Sequence, residues 1–306
     1  MVLFITISFL VITIDCKQKF SFHEKIKSFL QSDVVEKIDQ QELPATSFNS
    51  LSLANSNGSI TIKTGPKKSL FVRTIKRAKK KEHLENIKVL LDSSKNDHLT
   101  IVTENTNKKD IGSVDYELIV PSSLAIALTA TGSGTVFIKD VHGTIDVVAN
   151  DTVTLVNTKK SVSVQTCKKG SIHISNASGP VEAYTQQGNI VGENIAHSFE
   201  ARTTTGKVNI TYKNLPPTSS INLKSSSGNI ILALPTDTNA AICGCTTHGT
   251  LMSEHDITLK SYTTKLNKSA WSKFTKEVDG ILGTGEAMID LQTTKGSVKI
   301  VETKVT

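Results

Sequence analysis

The stretch "TTTGKVNI", Thr203 to Ile210, sets three hydroxyl side chains ahead of a glycine and then alternates apolar with polar residues. A single copy would read as a ligand or catalytic loop. The chain repeats it, as "SSSGNIIL" from Ser225, "TTHGTLMS" from Thr246 and "TTKGSVKI" from Thr293. Recurrence at the same place in an alternating pattern marks a structural device. Glycine supplies a backbone conformation other residues resist, and Ser or Thr caps loose amides.

From Gly134 onward, apolar residues recur in pairs, two apart. The leading members are Val136, Ile145, Val153, Val162, Ile172, Val181, Ile190, Phe199 and Val208, spaced 8 to 10 residues. Alternation within a pair predicts a strand, and the few polar residues between pairs predict a turn too short for a helix. A sustained fixed period predicts a solenoid, in which each unit buries its apolar face against its neighbours. Two such units make a coil of about 18 residues, with equivalent strands stacked in parallel about 4.8 Å apart. The expected fold is therefore all-β, a single-stranded parallel β-helix (solenoid) with a short N-terminal helical segment. Leu215 to Gly228 and Leu234 to Gly249 follow the same layout with a Leu-Pro bend between strands.

Composition agrees. Aromatic residues make up only 5% of the 306 residues, which suits many short strands better than a large helical core. The net charge of +7 permits attraction to anionic polymers without identifying one.

Val2 to Ile14 is an apolar run too short to span a bilayer and about the size of a signal-peptide core. No Lys or Arg precedes it and no small-x-small cleavage site follows; a buried β-branched strand is the alternative. Cys16 is a candidate lipidation site, although Ile14 and Asp15 are not the small residues that such a site needs. The expected organisation is a leader over 1–15, a helical linker or cap over 16–44 and the solenoid over 45–306. The helical expectation rests on Phe22, Ile26, Phe29, Leu30, Val34 and Ile38. Ser261 to Val278, which holds Trp271, interrupts the period and is a candidate cap.

"NSNGSITI" from Asn55, "YELIVPSS" from Tyr116, "TGSGTVFIKDVHGTIDV" from Thr131, the tandem rungs at Thr203 and Ser225, and "GTGEAMIDLQTTKGSVKI" from Gly283 follow in order. Together they resemble the DUF4097 ("putative adhesin") family of β-strand-repeat proteins, over roughly residues 45 to 303. The resemblance implies an extracytoplasmic β-helical domain linked to the cell envelope, with no established catalytic residues to carry over. The chain departs from the pattern where Asn150-Asp151-Thr152 and Lys159-Lys160-Ser161 stand at glycine turns.

Stacking the rungs predicts two outward rows: Glu182, Glu200, Asn222, Cys243, and beside it Tyr184, Arg202, Lys224, Cys245. Glu182 and Glu200 would then stand about one rung apart, near the separation used by retaining glycosidases. A solvated charge ladder with Arg202 and Lys224 accounts for the same residues. Cys243, Cys245 and His248 offer two thiols and an imidazole, short of the four ligands of a structural zinc site. Calcium-binding rolls need an Asp-containing Gly-rich nonapeptide in every repeat, which is absent. Arg73, Lys76, Arg77, Lys79, Lys80 and Lys81 form a basic run suited to an anionic polymer or lipid, or to a solvated hairpin tip. It lacks the interleaved aromatics of a nucleic-acid platform.

The sequence thus predicts an exported, periplasmic, cell-surface or membrane-anchored protein without enzymatic activity. It calls for no cofactor, metal or nucleic acid. The expected partners are a cell-surface polysaccharide, an anionic envelope polymer or another envelope protein. The alternative is a polysaccharide-cleaving enzyme using Glu182 and Glu200.

Overall fold

The computed structural model describes residues 34–44, 48–65, 69–94, 97–106, 112–259 and 276–303. The leader, Cys16, the first part of the helical pattern and Trp271 lie outside the described residues. The chain begins with β1 (Val35–Pro44), β2 (Phe48–Asn55), β3 (Ile60–Thr64) and β4 (Ser69–Ala78). The short helix α1 (Lys81–Glu85) follows, then β5 (Ile87–Asp92), β6 (Asp97–Asn105) and β7 (Ser113–Val120).

A regular array follows. Its strands are β8 (Ala125–Ala130), β9 (Val136–Lys139), β10 (Ile145–Ala149), β11 (Val153–Thr158), β12 (Val162–Thr166), β13 (Ile172–Ala177), β14 (Val181–Thr185), β15 (Ile190–Ile195), β16 (Phe199–Thr205), β17 (Val208–Tyr212), β18 (Ser220–Ser227) and β19 (Ile230–Leu234). The last described strands are β20 (Ala240–Thr246), β21 (Leu251–Ser253), β22 (Thr258–Leu259), β23 (Lys276–Leu282), β24 (Ala287–Lys295) and β25 (Val298–Glu302).

These strands form two long sheets. Sheet I has 12 strands and sheet II has 13. From β8 to β19 the chain alternates between them, and each strand up to β17 pairs in parallel with the strand two further on. In sheet II the register runs Ile145, Val162, Val181, Phe199, Ile221, so that like residues stack. All nine pair-leading residues predicted to point inward are buried, at 2% exposure or less. They join one apolar core between the sheets, where full burial of each Val, Ile or Leu stabilises by about 1.5–3 kcal/mol.

The turns repeat as regularly as the strands. On the sheet I side, Asp140, Asn157, Asn176 and Asn194 all have positive φ, between 54 and 61°. Asn157 Nδ2 donates to Asp140 Oδ1 at 2.6 Å, Asn176 Nδ2 to Asn157 Oδ1 at 2.8 Å and Asn194 Nδ2 to Asn176 Oδ1 at 3.1 Å. Asn and Asp are the side chains that tolerate this left-handed conformation best after glycine. Asp151, at one of the departures from the glycine pattern, instead accepts a bond from Gly134 N at 2.9 Å.

Both ends of the array depart from chain order. β24 lies between β18 and β20, and β25 between β19 and β21. At the other end β2 separates β6 from β8, and β3 separates β7 from β9. Antiparallel strands flank these rungs: β1 and β4 in sheet I, β5 at one end of sheet II, and β22 and β23 at the other. The last residues of the expected cap, Lys276 to Val278, thus belong to the strand β23, laid antiparallel on β20, and residues 261–275 lie outside the described residues.

The helical expectation is corrected over its second half, because Val35–Pro44 is the strand β1, paired along ten residues of β4. Val34 and Ile38 are four apart, a spacing that suits one helix face but equally two strand periods. They remain 44% and 49% exposed, so no helical face gathers them. The unpaired edge of β4 offered a full backbone ladder, and opposite charges face each other across it. Arg77 meets Glu36 at 2.6 Å and Lys76 meets Asp39 at 3.6 Å. A charged edge strand also blunts sheet-to-sheet pairing.

Candidate functional site: a polar groove on sheet II

The hydroxyl residues of the glycine turns build the floor of this site. Each turns inward and donates to the carbonyl of the glycine one rung below. Thr185 Oγ1 reaches Gly170 O at 2.8 Å, Thr203 reaches Gly188 O at 3.2 Å and Ser225 reaches Gly206 O at 3.1 Å. Thr293 and Thr246 continue to Gly228 O and Gly296 O at 2.9 and 2.7 Å. The glycines stack just as closely: a Cβ on Gly206 would stand 2.0 Å from Gly188 O, and one on Gly228 would stand 1.9 Å from Gly206 O. Only glycine permits that approach. The repeated turns are therefore one continuous ladder.

With the floor hydroxyls turned in, their neighbours project on either side. One wall carries Gln165, Tyr184, Arg202, Lys224, Gln292 and Cys245; the other carries Gln186, Thr204, Ser226, Thr294 and Thr247. The groove between them has a volume of about 620 Å³. Its lining spans six strands in the order β12, β14, β16, β18, β24, β20. At about 4.8 Å per step between strands it is roughly 24 Å long.

Its charges are compensated. Arg202 NH2 lies 2.6 Å from Glu200 Oε1, and its guanidinium sits 5.8 Å from the Tyr184 ring centre. Lys224 Nζ lies 3.7 Å from Asp290 Oδ2. Burial, followed by the negative charges of Glu200 and Glu182, pushes the Tyr184 phenol up, so it stays a hydrogen-bond donor at neutral pH.

The predicted rows hold as far as β18. Glu182 pairs with Glu200 and then Asn222, and Tyr184 with Arg202 and then Lys224. The step from Asn222 to Cys243 and from Lys224 to Cys245 is corrected: β24 intervenes and places Asp290 and Gln292 between them. The count of rungs along the chain gave no sign that a later strand would enter there. The far wall, by contrast, is legible two residues before each turn glycine, at Gln186, Thr204, Ser226, Thr294 and Thr247.

Glu182 and Glu200 are adjacent as expected, but the Glu200 carboxylate is engaged by Arg202. Cys243 and Cys245 face outward on β20 as free thiols, opposite Asp279 and Glu277 of β23. Burial first, and then Asp290 and Glu277, push both thiols up, which opposes the thiolate form that a metal needs. His248 is exposed, and among the described residues no three His, Cys, Asp or Glu side chains converge on a common point.

The basic run divides in two. Arg73, Lys76 and Arg77 lie on β4 inside sheet I, where a solvated hairpin tip was one expectation. Arg73 pairs with Glu117 at 2.7 Å, Lys76 with Asp39, and Arg77 with both Glu36 and Asp115, which together raise its already high pKa. Lys79, Lys80 and Lys81 are exposed at the start of α1.

No family model matches the chain, and no curated protein sequence does either. Among solved structures the chain is similar to a "putative adhesin" from Parabacteroides distasonis ATCC 8503, at 10% identity and a TM-score of 0.49, covering 87% of this chain and 97% of that one. A "putative adhesin" from Bacteroides fragilis NCTC 9343 matches at 12% identity and a TM-score of 0.40, over 87% and 97% of the two chains. A "putative cell adhesion protein" from Clostridium sporogenes ATCC 15579 matches at 10% identity and a TM-score of 0.26, over 88% and 100%. Likenesses of this degree carry no residue role to this chain. Among the described residues no helix is long and apolar enough to cross a membrane.

Proposed function

We propose that this is a non-catalytic, exported envelope or cell-surface protein, built as a two-faced parallel β-solenoid of the DUF4097 kind. It presents the outward face of sheet II to a cell-surface polysaccharide, an anionic envelope polymer or another envelope protein. The observation that supports this reading is the groove: about 620 Å³ of open space lined mostly by polar side chains, laid across six hydrogen-bonded strands. A rigid backbone holding rows of side chains in register loses little freedom on binding, which favours an extended partner.

The test is retention on isolated envelopes of the native cell. The protein is expected to sediment with them and Ser226→Trp, which fills the groove from an exposed wall position, to remain in the supernatant. Equal sedimentation of the two proteins, or none, overturns the reading. An intact Met1 on protein recovered from the cytosolic fraction would remove the surface placement.

A further inference from the structure

Three kinds of partner fit a long polar groove, and the side chains in this one discriminate among them. We infer that it takes an extended, uncharged polysaccharide lying across β12, β14, β16, β18, β24 and β20. This deepens the binding reading above and rests on it.

An anionic polymer needs free cations. The two in the lining, Arg202 and Lys224, are held by Glu200 at 2.6 Å and Asp290 at 3.7 Å. The outward row beside them adds Glu182, so carboxylates outnumber cations along this face. A protein partner would need apolar pockets or a free strand edge. The lining residues other than Tyr184 and Cys245 end in amide, hydroxyl or charged groups, with no Val, Leu, Ile, Met or Phe among them to form an apolar pocket, and the strands beneath are hydrogen-bonded on both sides.

What the groove does offer is suited to sugar hydroxyls. Gln165 and Gln186 carry both donors and acceptors, Gln292 adds its amide oxygen while its Nε2 donates to the Asp290 carboxylate at 2.8 and 2.9 Å, and the hydroxyls of Thr204, Ser226 and Thr294 can act as either. Arg202, stacked over the Tyr184 ring and tied to Glu200, is a flat donor already fixed in orientation. One wall repeats a hydroxyl from rung to rung, at Thr204, Ser226, Thr294 and Thr247, as a chain of identical sugars repeats its own groups.

Binding of full-length protein to unbranched neutral glucan and mannan oligosaccharides of increasing length tests this, with polygalacturonate as the anionic probe. Affinity for a neutral series is expected to rise with chain length and level off once the groove is filled. Ser226→Trp is expected to weaken it at least tenfold. Asn209→Trp, on the outward face of sheet I, should leave it unchanged and shows that an added indole does not disturb the fold. Preference for polygalacturonate, abolished by salt, overturns the inference and leaves the surface-binding reading standing. Retention on native envelopes without binding to any of these polymers does the same. Absence of both binding and retention removes the two readings together.

Discussion

Among the described residues, Tyr116 and Tyr212 are the two largest fully buried side chains, at 1% and 0% exposure. Tyr116 belongs to sheet I, and its hydroxyl lies 2.6 Å from Thr103 Oγ1 of β6 in sheet II, so one polar contact bridges the layers. Tyr212 donates to His197 O at 2.9 Å. Burial pushes the Tyr116 phenol up to about 12, from an ordinary value near 10. The folded protein then holds this proton more tightly than the unfolded chain does. Its contribution is complete below about pH 10 and is lost as the pH rises towards 12, by about 3 kcal/mol in all. Urea midpoints at about pH 9 and 11.5 should show that loss, and Tyr116→Phe should lessen it. Tyr212, pushed up further by burial alone, keeps a second component in the variant. The inward position of such residues was legible in the alternation of the sequence. Their hydroxyl partners were not, because Thr103 and Tyr116 meet only when two sheets close.

The ladders belong to the scale of elements. The hydroxyl-glycine ladder was read from its motif; the Asp140–Asn157–Asn176–Asn194 ladder was not, although its spacings of 17, 19 and 18 follow the coil period. Apolar alternation hid it, since each Asn stands one residue before a buried inward side chain: Thr158, Ala177 and Ile195. Asn176→Ala leaves at φ 57° a residue without the polar side chain that eases the left-handed conformation, and severs two ladder bonds, an expected loss of about 2 to 3 kcal/mol. Asn176→Gly keeps the conformation and loses only the bonds, costing about 1 kcal/mol. Equal losses in urea denaturation would mean that the left-handed turn, and not the ladder, is immaterial. The segment at Val35–Pro44 misread in the opposite direction. A spacing of four residues cannot separate helix from strand, and the deciding fact, the open edge of β4, lies 25 to 43 residues away.

Across the whole molecule, the regular array from β8 to β19 was legible because each contact lies about one coil away in sequence. The ends were not. β24 pairs with β18, 68 residues earlier, and no periodic count anticipates that. Removing residues from Gly283 onward would strip β20 and β21 of the strands they lie on. Hydrogen exchange is expected to show β20 to β23 unprotected in such a chain while β10 to β17 keep their protection. Uniform protection would contradict the strand order described above. The same arrangement bears on synthesis. β20 emerges from the ribosome before β24 exists, so its final inner neighbour is missing while the chain up to Ala287 is still being translated. The penultimate rung is filled by a later piece of chain, which then locks the earlier one outside it. A message read short of that point yields a molecule with an open flank, and such a flank distinguishes an unfinished product from a finished one.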